Sequence, residues 1–304
     1  MSANALIVGA EGFLGKHLKA KLVGVGFDVL CLSRQNGDLT KIETWRALNF
    51  AGSPPSIVFF CAEDTGNQQY FSERSPFDVW SNNASIIQNL SRHVETMQLP
   101  CHIFVFGSLW TSTADKRVID EDDLFKIDKG SPVISLQMTK IALLSFVRKI
   151  NAGTIHSAQI ITPGTLFGPG DNSDHLIPSV IRQAMNNDKT ICMNGTGEGV
   201  RNFIYIEEFC DLLIVLIENR LFEHESIIAT SDVNLDVKTI VNHIAAQLGV
   251  RDVLWGAQKP VYETRQPSIN LLRSIHSDFQ TFEFRSPLNF DKLDFLSWCS
   301  SKPS

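Results

Sequence analysis

The stretch LIVGAEGFLGKHL, residues 6–18, decides how the rest of the chain is read. An apolar run of strand length stops at Gly9, and Gly12 and Gly15 follow at three-residue steps into a segment with helical period. Glycine at such a turn lets the chain reverse. The next lets the backbone approach a pyrophosphate, whose charge the exposed N–H groups and the helix dipole favour. The spacing is GxxGxxG rather than GxGxxG, and three glycines alone also suit a purely structural turn. The strand–turn–helix context is what makes the stretch read as a dinucleotide-binding loop.

The next strand carries the choice of dinucleotide. An acid at its end would accept hydrogen bonds from a ribose 2′-OH. Here CLSRQNGDL, residues 31–39, puts Ser33 and Arg34 at that place. A guanidinium there can pair with a 2′-phosphate, which favours NADP over NAD, and an exposed loop arginine is the competing reading. Asp38 and Leu39 are placed to flank the adenine.

Further along, apolar runs of strand length alternate with longer segments of helical period. Strands are expected at 28–33, 56–62, 101–108 and 156–162, and helices at 76–97 and 131–149. This alternation builds a parallel sheet with crossover helices, and wholly apolar strands fit burial on both faces. After about residue 170 the pattern loosens into helices at 175–187, 207–222 and 236–250, with short strands between them. The expected architecture is α/β: a Rossmann-like, doubly wound parallel sheet over residues 1–170, to which some later segments return. A smaller mixed C-terminal substrate lobe over 171–304 completes it, with a cleft between the two.

Bulk properties agree with a large α/β protein and narrow its partners. The 304 residues are 43% hydrophobic and 20% charged, with a formal net charge of −6. That balance argues against a polyanion-binding surface, so no nucleic-acid partner is expected. The six cysteines (31, 61, 101, 192, 210 and 299) form no CxxC pair and read as reduced core residues, and no metal site is expected. The N-terminus lacks signal-peptide features, and the most apolar run, CDLLIVLIEN at 210–219, is too short to span a bilayer. A soluble cytoplasmic protein with no membrane partner is expected.

With these segments in view, the chain resembles an extended short-chain dehydrogenase/reductase of the NAD-dependent epimerase/dehydratase family. VGAEGFLGKHL (8–18) resembles the family's TGxxGFxG loop, and FFCAED (59–64) stands where the family has small residues after the third strand. NNASIIQNL (82–90) resembles NxxGTxNLL, with Asn83 and Asn89 in register. TPGTLFGPGDN (162–172) resembles RxxNxYGPGD, and GTGEGVRNFIYIEEF (195–209) resembles GxGxxxRDFxYVDD. The last two are similar to the nucleotide-sugar branch, whose members epimerise, dehydrate, reduce or decarboxylate sugars carried on a nucleoside diphosphate.

The resemblance implies that Gly9, Glu11, Gly12, Phe13, Leu14, Gly15, Ser33, Arg34, Asp38, Leu39, Cys61, Ala62, Lys140 and Pro163 bind the cofactor. It implies a nucleoside-diphosphate sugar as partner, held by Asn83, Thr165, Leu176, Pro178 and Arg201. Arg201 is suited to bidentate contact with a diphosphate, the alternative being a salt bridge with Glu207 or Glu208. Leu176 and Pro178 stand where relatives close over the base. Thr165 and Phe167 replace the usual asparagine and tyrosine. A homodimer through the helices at 76–97 and 131–149 is also implied.

The family's chemistry uses a YxxxK pair with a Ser or Thr after the preceding strand. Residues four apart share a helix face. In SLQMTKIALLSF (135–146) the lysine aligns as Lys140, and the tyrosine place holds Leu136. Tyr70, Tyr205 and Tyr262 are the only tyrosines, and none has a lysine four residues on. The hydroxyl place falls on Ser108 or Leu109, with Thr111 and Ser112 nearby. Leucine cannot transfer a proton, and loss of a general acid costs about 10²–10⁴-fold in rate. Three readings follow. An active enzyme uses another donor: Ser108, Cys61, Glu63, Asp174, His175 or water. A catalytically degenerate protein keeps its cofactor and nucleotide sugar. A repurposed binding module, for instance for RNA, is disfavoured by the acidic balance.

Overall fold

The computed structural model describes residues 4–48, 54–66, 68–112, 118–128, 130–186, 189–258 and 266–300. The chain divides into two compact units. One comprises residues 1–113, 121–163 and 210–228, and the other 114–120, 164–209 and 229–304.

The first unit is built on six strands: β1 (Asn4–Val8), β2 (Asp28–Leu32), β3 (Ile57–Phe60), β4 (His102–Phe106), β6 (Ser157–Thr162) and β10 (Ser226–Ile228). They form one parallel sheet in the order β10-β6-β4-β3-β1-β2. The helices α1 (Phe13–Gly24), α2 (Ile42–Arg46), α3 (Gln68–Glu73), α4 (Pro76–Glu95) and α5 (Ile134–Gly153) belong to the same unit. Alternate strand residues point to opposite faces. Leu6, Val8, Val58, Phe60, Ile103 and Val105 lie in one core cluster with Ile86, Leu90 and Val94 of α4 and Leu143, Phe146 and Val147 of α5. The interleaved residues Ile7, Phe59 and Phe104 are also wholly buried, and the two phenylalanine rings stack at 5.2 Å. Both faces are therefore covered, which is why these strands read as unbroken apolar runs. This is a Rossmann-type sheet, as expected. Its order reverses beside β1, and the crevice between the carboxyl ends of β1 and β3 is where such sheets place ligands.

The strand at 226–228, one of the short strands expected after residue 170, pairs with β6 at the edge of this sheet. Periodicity identifies a strand but not the sheet it joins.

The second unit contains β5 (Val118–Ile119), β7 (Thr165–Phe167), β8 (Thr190–Gly195), β9 (Val200–Tyr205), β11 (Asn234–Asp236), β12 (Asp252–Gln258) and β13 (Gln266–Pro267). They form a mixed three-stranded sheet β11-β9-β7 and the pairs β12-β8 and β13-β5. Its helices are α6 (Leu176–Met185), α8 (Val237–Leu248), α9 (Asn270–Ile275), α10 (Ser277–Thr281) and α11 (Lys292–Ser300), while α7 (Ile206–Glu218) runs from this unit into the first. Asp236 caps α8 by accepting from the Thr239 N–H, and Gly249 ends it in the left-handed region at φ 67°. The core gathers Phe167, Phe203, Tyr205, Phe290, Phe295 and Trp298.

Cys31, Cys61, Cys101, Cys192 and Cys210 are free thiols, with Cys192 exposed; the Cys299 side chain and Tyr262 lie outside the described residues. Among the described residues no helix is long and apolar enough to cross a membrane.

Candidate active site

The glycine loop sits at the carboxyl end of β1. Gly9 has φ 89°, and a Cβ there would lie 2.7 Å from the Ala62 backbone nitrogen, so the β1 turn and the β3 exit touch through a glycine. A Cβ at Gly15 would lie 2.3 Å from the Gly9 carbonyl oxygen. Gly12 precedes α1 and offers no side chain to cap it, so the first-turn N–H groups have no side-chain cap from that residue. Glu11 is exposed beside Lys16 at 3.8 Å, and Phe13 packs edge-on to His17. Leu14 is half-buried on the same turn.

At the end of β2, Ser33 is buried and its hydroxyl accepts from the Gln35 N–H. Arg34 is exposed and pairs with no acid among the described residues. Asp38 is exposed and binds the Thr40 N–H and hydroxyl, which hold its carboxyl below the usual range. Leu39 faces the core, and its carbonyl accepts from Trp45 Nε1 and Asn89 Nδ2.

Beyond β3 and β4 lies a group of polar side chains in an otherwise apolar setting. Lys140 is buried, and its ammonium donates to Glu63 Oε2 at 2.7 Å and to the Phe106 carbonyl at 2.8 Å. Glu63 Oε1 is buried without a hydrogen-bond partner among the described residues. Ammonium carries three donors, so one remains for a ligand. One turn earlier on α5, Leu136 packs with Phe71, Val79 and Val133, and the Tyr70 ring lies against this cluster.

The Tyr70 hydroxyl donates to Asp64 Oδ1, and Asn82 Nδ2 donates to Asp64 Oδ2 at 2.8 Å. Burial, then the bond to Asp64, push the phenol up to about 12. Asn83 is buried and holds the loop in place. Its amide accepts from the Asp64 N–H at 2.7 Å and donates to the Asp64 carbonyl at 2.9 Å and Thr139 Oγ1 at 3.3 Å. Tyr70 has no lysine four residues on, and nothing in the sequence marks Asp64 as its partner; the contact runs from α3 to the loop after β3, and no spacing rule reports it.

The other proposed donors differ in setting. Ser108 is half-buried, and its hydroxyl accepts from the Trp110 N–H at 3.2 Å. Burial pushes the Cys61 thiol well up, which keeps it protonated. Ala62 is buried, and Pro163 is half-buried after β6.

Four expected substrate residues belong to the second unit. Thr165 opens β7 and is half-buried. Leu176 and Pro178 start α6, and Pro178 lines a cavity with Gly168, Asp171, Ile177, Ile181 and Trp298. Asp174 is exposed and paired with Arg182 at 2.8 Å, and His175 is exposed before α6. Arg201 lies on β9 and donates to the Val200 carbonyl. Glu207 and Glu208, its alternative partners, are both engaged by Arg285, which also stacks 3.9 Å above the Tyr205 ring.

The glycine cradle, the open helix start and the buried lysine at the carboxyl edge of the sheet define a dinucleotide-binding protein of Rossmann type. The residues present fit such a group: two glycine positions where a Cβ would collide with backbone, and a buried carboxylate oxygen that lacks a partner among the described residues. The chain belongs to the NAD dependent epimerase/dehydratase family, whose model matches residues 5–229.

It is 25% identical over 258 residues to dTDP-4-dehydro-6-deoxy-D-allose reductase of Streptomyces bikiniensis, covering 76% of this chain and 77% of that one. Among solved structures it is similar to TunA, an NAD-dependent NDP-hexosamine 5,6-dehydratase involved in tunicamycin biosynthesis, at TM-score 0.81 and 20% identity over 99% of both chains. It is also similar to the GDP-mannoheptose C4 reductase of Campylobacter jejuni with NADP bound, at TM-score 0.80 and 17% identity over 99% of both chains.

Proposed function

We propose that this protein is an NAD(P)-dependent enzyme of nucleoside-diphosphate sugars, of the ketoreductase, dehydratase or epimerase kind, working with Leu136 at the place of the usual tyrosine. The observation that carries the reading is Lys140: a buried ammonium held by Glu63 and the Phe106 carbonyl at the edge of the sheet where the glycine loop opens. A lysine with no ligand to serve is ordinarily directed to water.

In this proposal Gly9, Glu11, Gly12, Phe13, Leu14 and Gly15 hold the pyrophosphate, Arg34 and Ser33 take the 2′-phosphate of NADP, and Asp38 and Leu39 flank the adenine. Lys140 uses its remaining N–H on the nicotinamide ribose, beside Cys61, Ala62 and Pro163. The bound dinucleotide supplies or accepts a hydride at a sugar carbon. Arg201 neutralises the sugar nucleotide's diphosphate, Leu176 and Pro178 cover the base, and Thr165 and Asn83 serve the substrate side. The retained Ser108 hydroxyl polarises the sugar oxygen. A homodimer through α4 and α5 and a cytoplasmic setting belong to the same proposal.

A second reading, a cofactor- and nucleotide-sugar-binding protein without catalysis, is favoured by the apolar packing of Leu136. One experiment separates the two. Incubated with NADPH and 4-keto sugars on dTDP, GDP, UDP and CDP, the protein is expected to yield a reduced product from at least one, detected by mass spectrometry. Binding without product across that panel supports the second reading.

The cofactor preference has its own test. Charge-assisted hydrogen bonds are worth about 1.5–3 kcal/mol, so Arg34→Ala is expected to weaken NADPH binding by roughly ten- to a hundredfold. NADH affinity is expected to stay as it was, both read by cofactor fluorescence. Equal NADPH affinity in parent and variant overturns the preference for NADP.

A further inference from the structure

Two consecutive carboxylates leave β3, and they hold two different proton-bearing groups. Glu63 binds the Lys140 ammonium, and Asp64 binds the Tyr70 hydroxyl. The arrangement is braced from several sides. Asn82 holds the second oxygen of Asp64, and Asn83 clamps the Asp64 backbone to Thr139, the residue before Lys140. A Cβ at Gly66 would come 2.5 Å from Tyr70 Cγ, so the loop passes over the ring only because residue 66 lacks a side chain. The ring rests on the cluster that contains Leu136, one turn from Lys140.

We propose that Tyr70 is the catalytic acid of this site, oriented by Asp64, and that Leu136 is the apolar seat of its ring. The phenol that α5 does not supply is brought to the same cluster by α3. The assignment rests on the proposed function and deepens it toward ketoreduction. Hydride addition to a keto carbon brings both electrons from the reduced nicotinamide dinucleotide, and the C=O π pair moves onto oxygen. The alkoxide then takes the Tyr70 proton as the phenolic O–H breaks, and the phenolate recovers a proton from water at the half-exposed ring edge.

The charged surroundings pull both ways: Asp64 faces the hydroxyl from the loop after β3, while the Arg74 guanidinium, just past the end of α3, lies 5.1 Å from the ring centre and acts to lower the phenol's pKa, with burial and Asp64 the larger effects. Burial and the Asp64 carboxylate keep the phenol protonated at neutral pH, so it serves as a donor to an alkoxide and leaves little phenolate to act as a base.

The test uses the full chain with NADPH and the 4-keto sugar nucleotide that the parent reduces. Tyr70→Phe is expected to lower single-turnover reduction by about 10²–10⁴-fold. NADPH and sugar-nucleotide binding, read by fluorescence and calorimetry, are expected to be retained. Adding Leu136→Tyr to Tyr70→Phe is expected to restore part of the rate, since it returns a phenol to the same cluster. A purely structural Tyr70 predicts neither the rate loss at retained binding nor the rescue.

Carbon-labelled tyrosine NMR gives a readout independent of activity. The signal lost in Tyr70→Phe is expected to report a protonated phenol at neutral pH and to move when Asp64→Asn removes its acceptor charge. Unchanged turnover in Tyr70→Phe, or a Tyr70 signal indifferent to Asp64→Asn, overturns the assignment while leaving the proposed function standing. A parent that reduces nothing in the panel overturns the ketoreductase form of the proposed function, and this assignment falls with it.

Discussion

Replacing Gly15 with alanine is expected to destabilise the protein by about 1–3 kcal/mol, the ordinary range for overpacking, and to abolish dinucleotide binding. The new methyl would stand 2.3 Å from the Gly9 carbonyl oxygen and 2.8 Å from the Ala10 Cα. Both obstacles are backbone, so no rotamer change relieves them. The start of α1 must move away from the end of β1, and the first-turn N–H groups, which hold the pyrophosphate in the proposed function, move with it. Gly12 supplies the contrast. A Cβ there meets only the Gly9 carbonyl, at 3.3 Å, which a shift of a few tenths of an ångström relieves. Gly12→Ala is therefore expected to unfold at nearly the parent temperature while still weakening NADPH binding, because its methyl intrudes where the ligand's backbone approach is needed. Thermal unfolding with NADPH titration of both variants checks this. A Gly15→Ala protein as stable as Gly12→Ala would show that the close packing of α1 on the loop is absent in solution.

That contrast also marks how far the sequence can be read. The three glycines look equivalent at their regular spacing, yet Gly9 and Gly15 are needed by the fold itself, whereas Gly12 has room for a Cβ at the cost of a small shift. The sheet was legible because a strand buried on both faces is apolar nearly throughout, as β1 and β4 are beyond their first residues, Asn4 and His102. Long amphipathic helices such as α4 were legible for the same reason. The polar half of the site was much less so. Lys140 and Glu63 are 77 positions apart, and Arg285 and Glu208 are 77 apart as well. Such pairs are chosen by tertiary proximity, and no local pattern encodes them. Glu63 entered the sequence reading only as a spare proton donor, whereas its nearest charge is the ammonium of Lys140. Tyr70 was set aside by a spacing rule that applies within one helix, while its partner Asp64 lies on a loop.

The Lys140–Glu63 pair carries the second large effect. The two side chains are 4% and 17% exposed, and 2.7 Å separates Nζ from Oε2. Removing one member of a buried pair leaves the other charge uncompensated, which typically costs about 3–5 kcal/mol. Lys140→Met, which keeps most of the apolar stem and drops the charge, is expected to lose stability in that range, measured by urea unfolding. It also strands the Phe106 carbonyl, which otherwise accepts from the ammonium. Combining Lys140→Met with Glu63→Gln removes both charges, and most of the lost stability is expected to return because the two sites are directly coupled. NADPH affinity is expected to follow a different course, falling in Lys140→Met and staying low in the double variant, since neither Met nor Gln restores the ammonium donor to the ribose. Stability that returns without binding separates the lysine's two roles. Its charge is balanced within the fold by Glu63, and in the proposed function its remaining N–H serves the dinucleotide. If binding returned together with stability, Lys140 would be a structural residue alone, and the dinucleotide would have to be held without it.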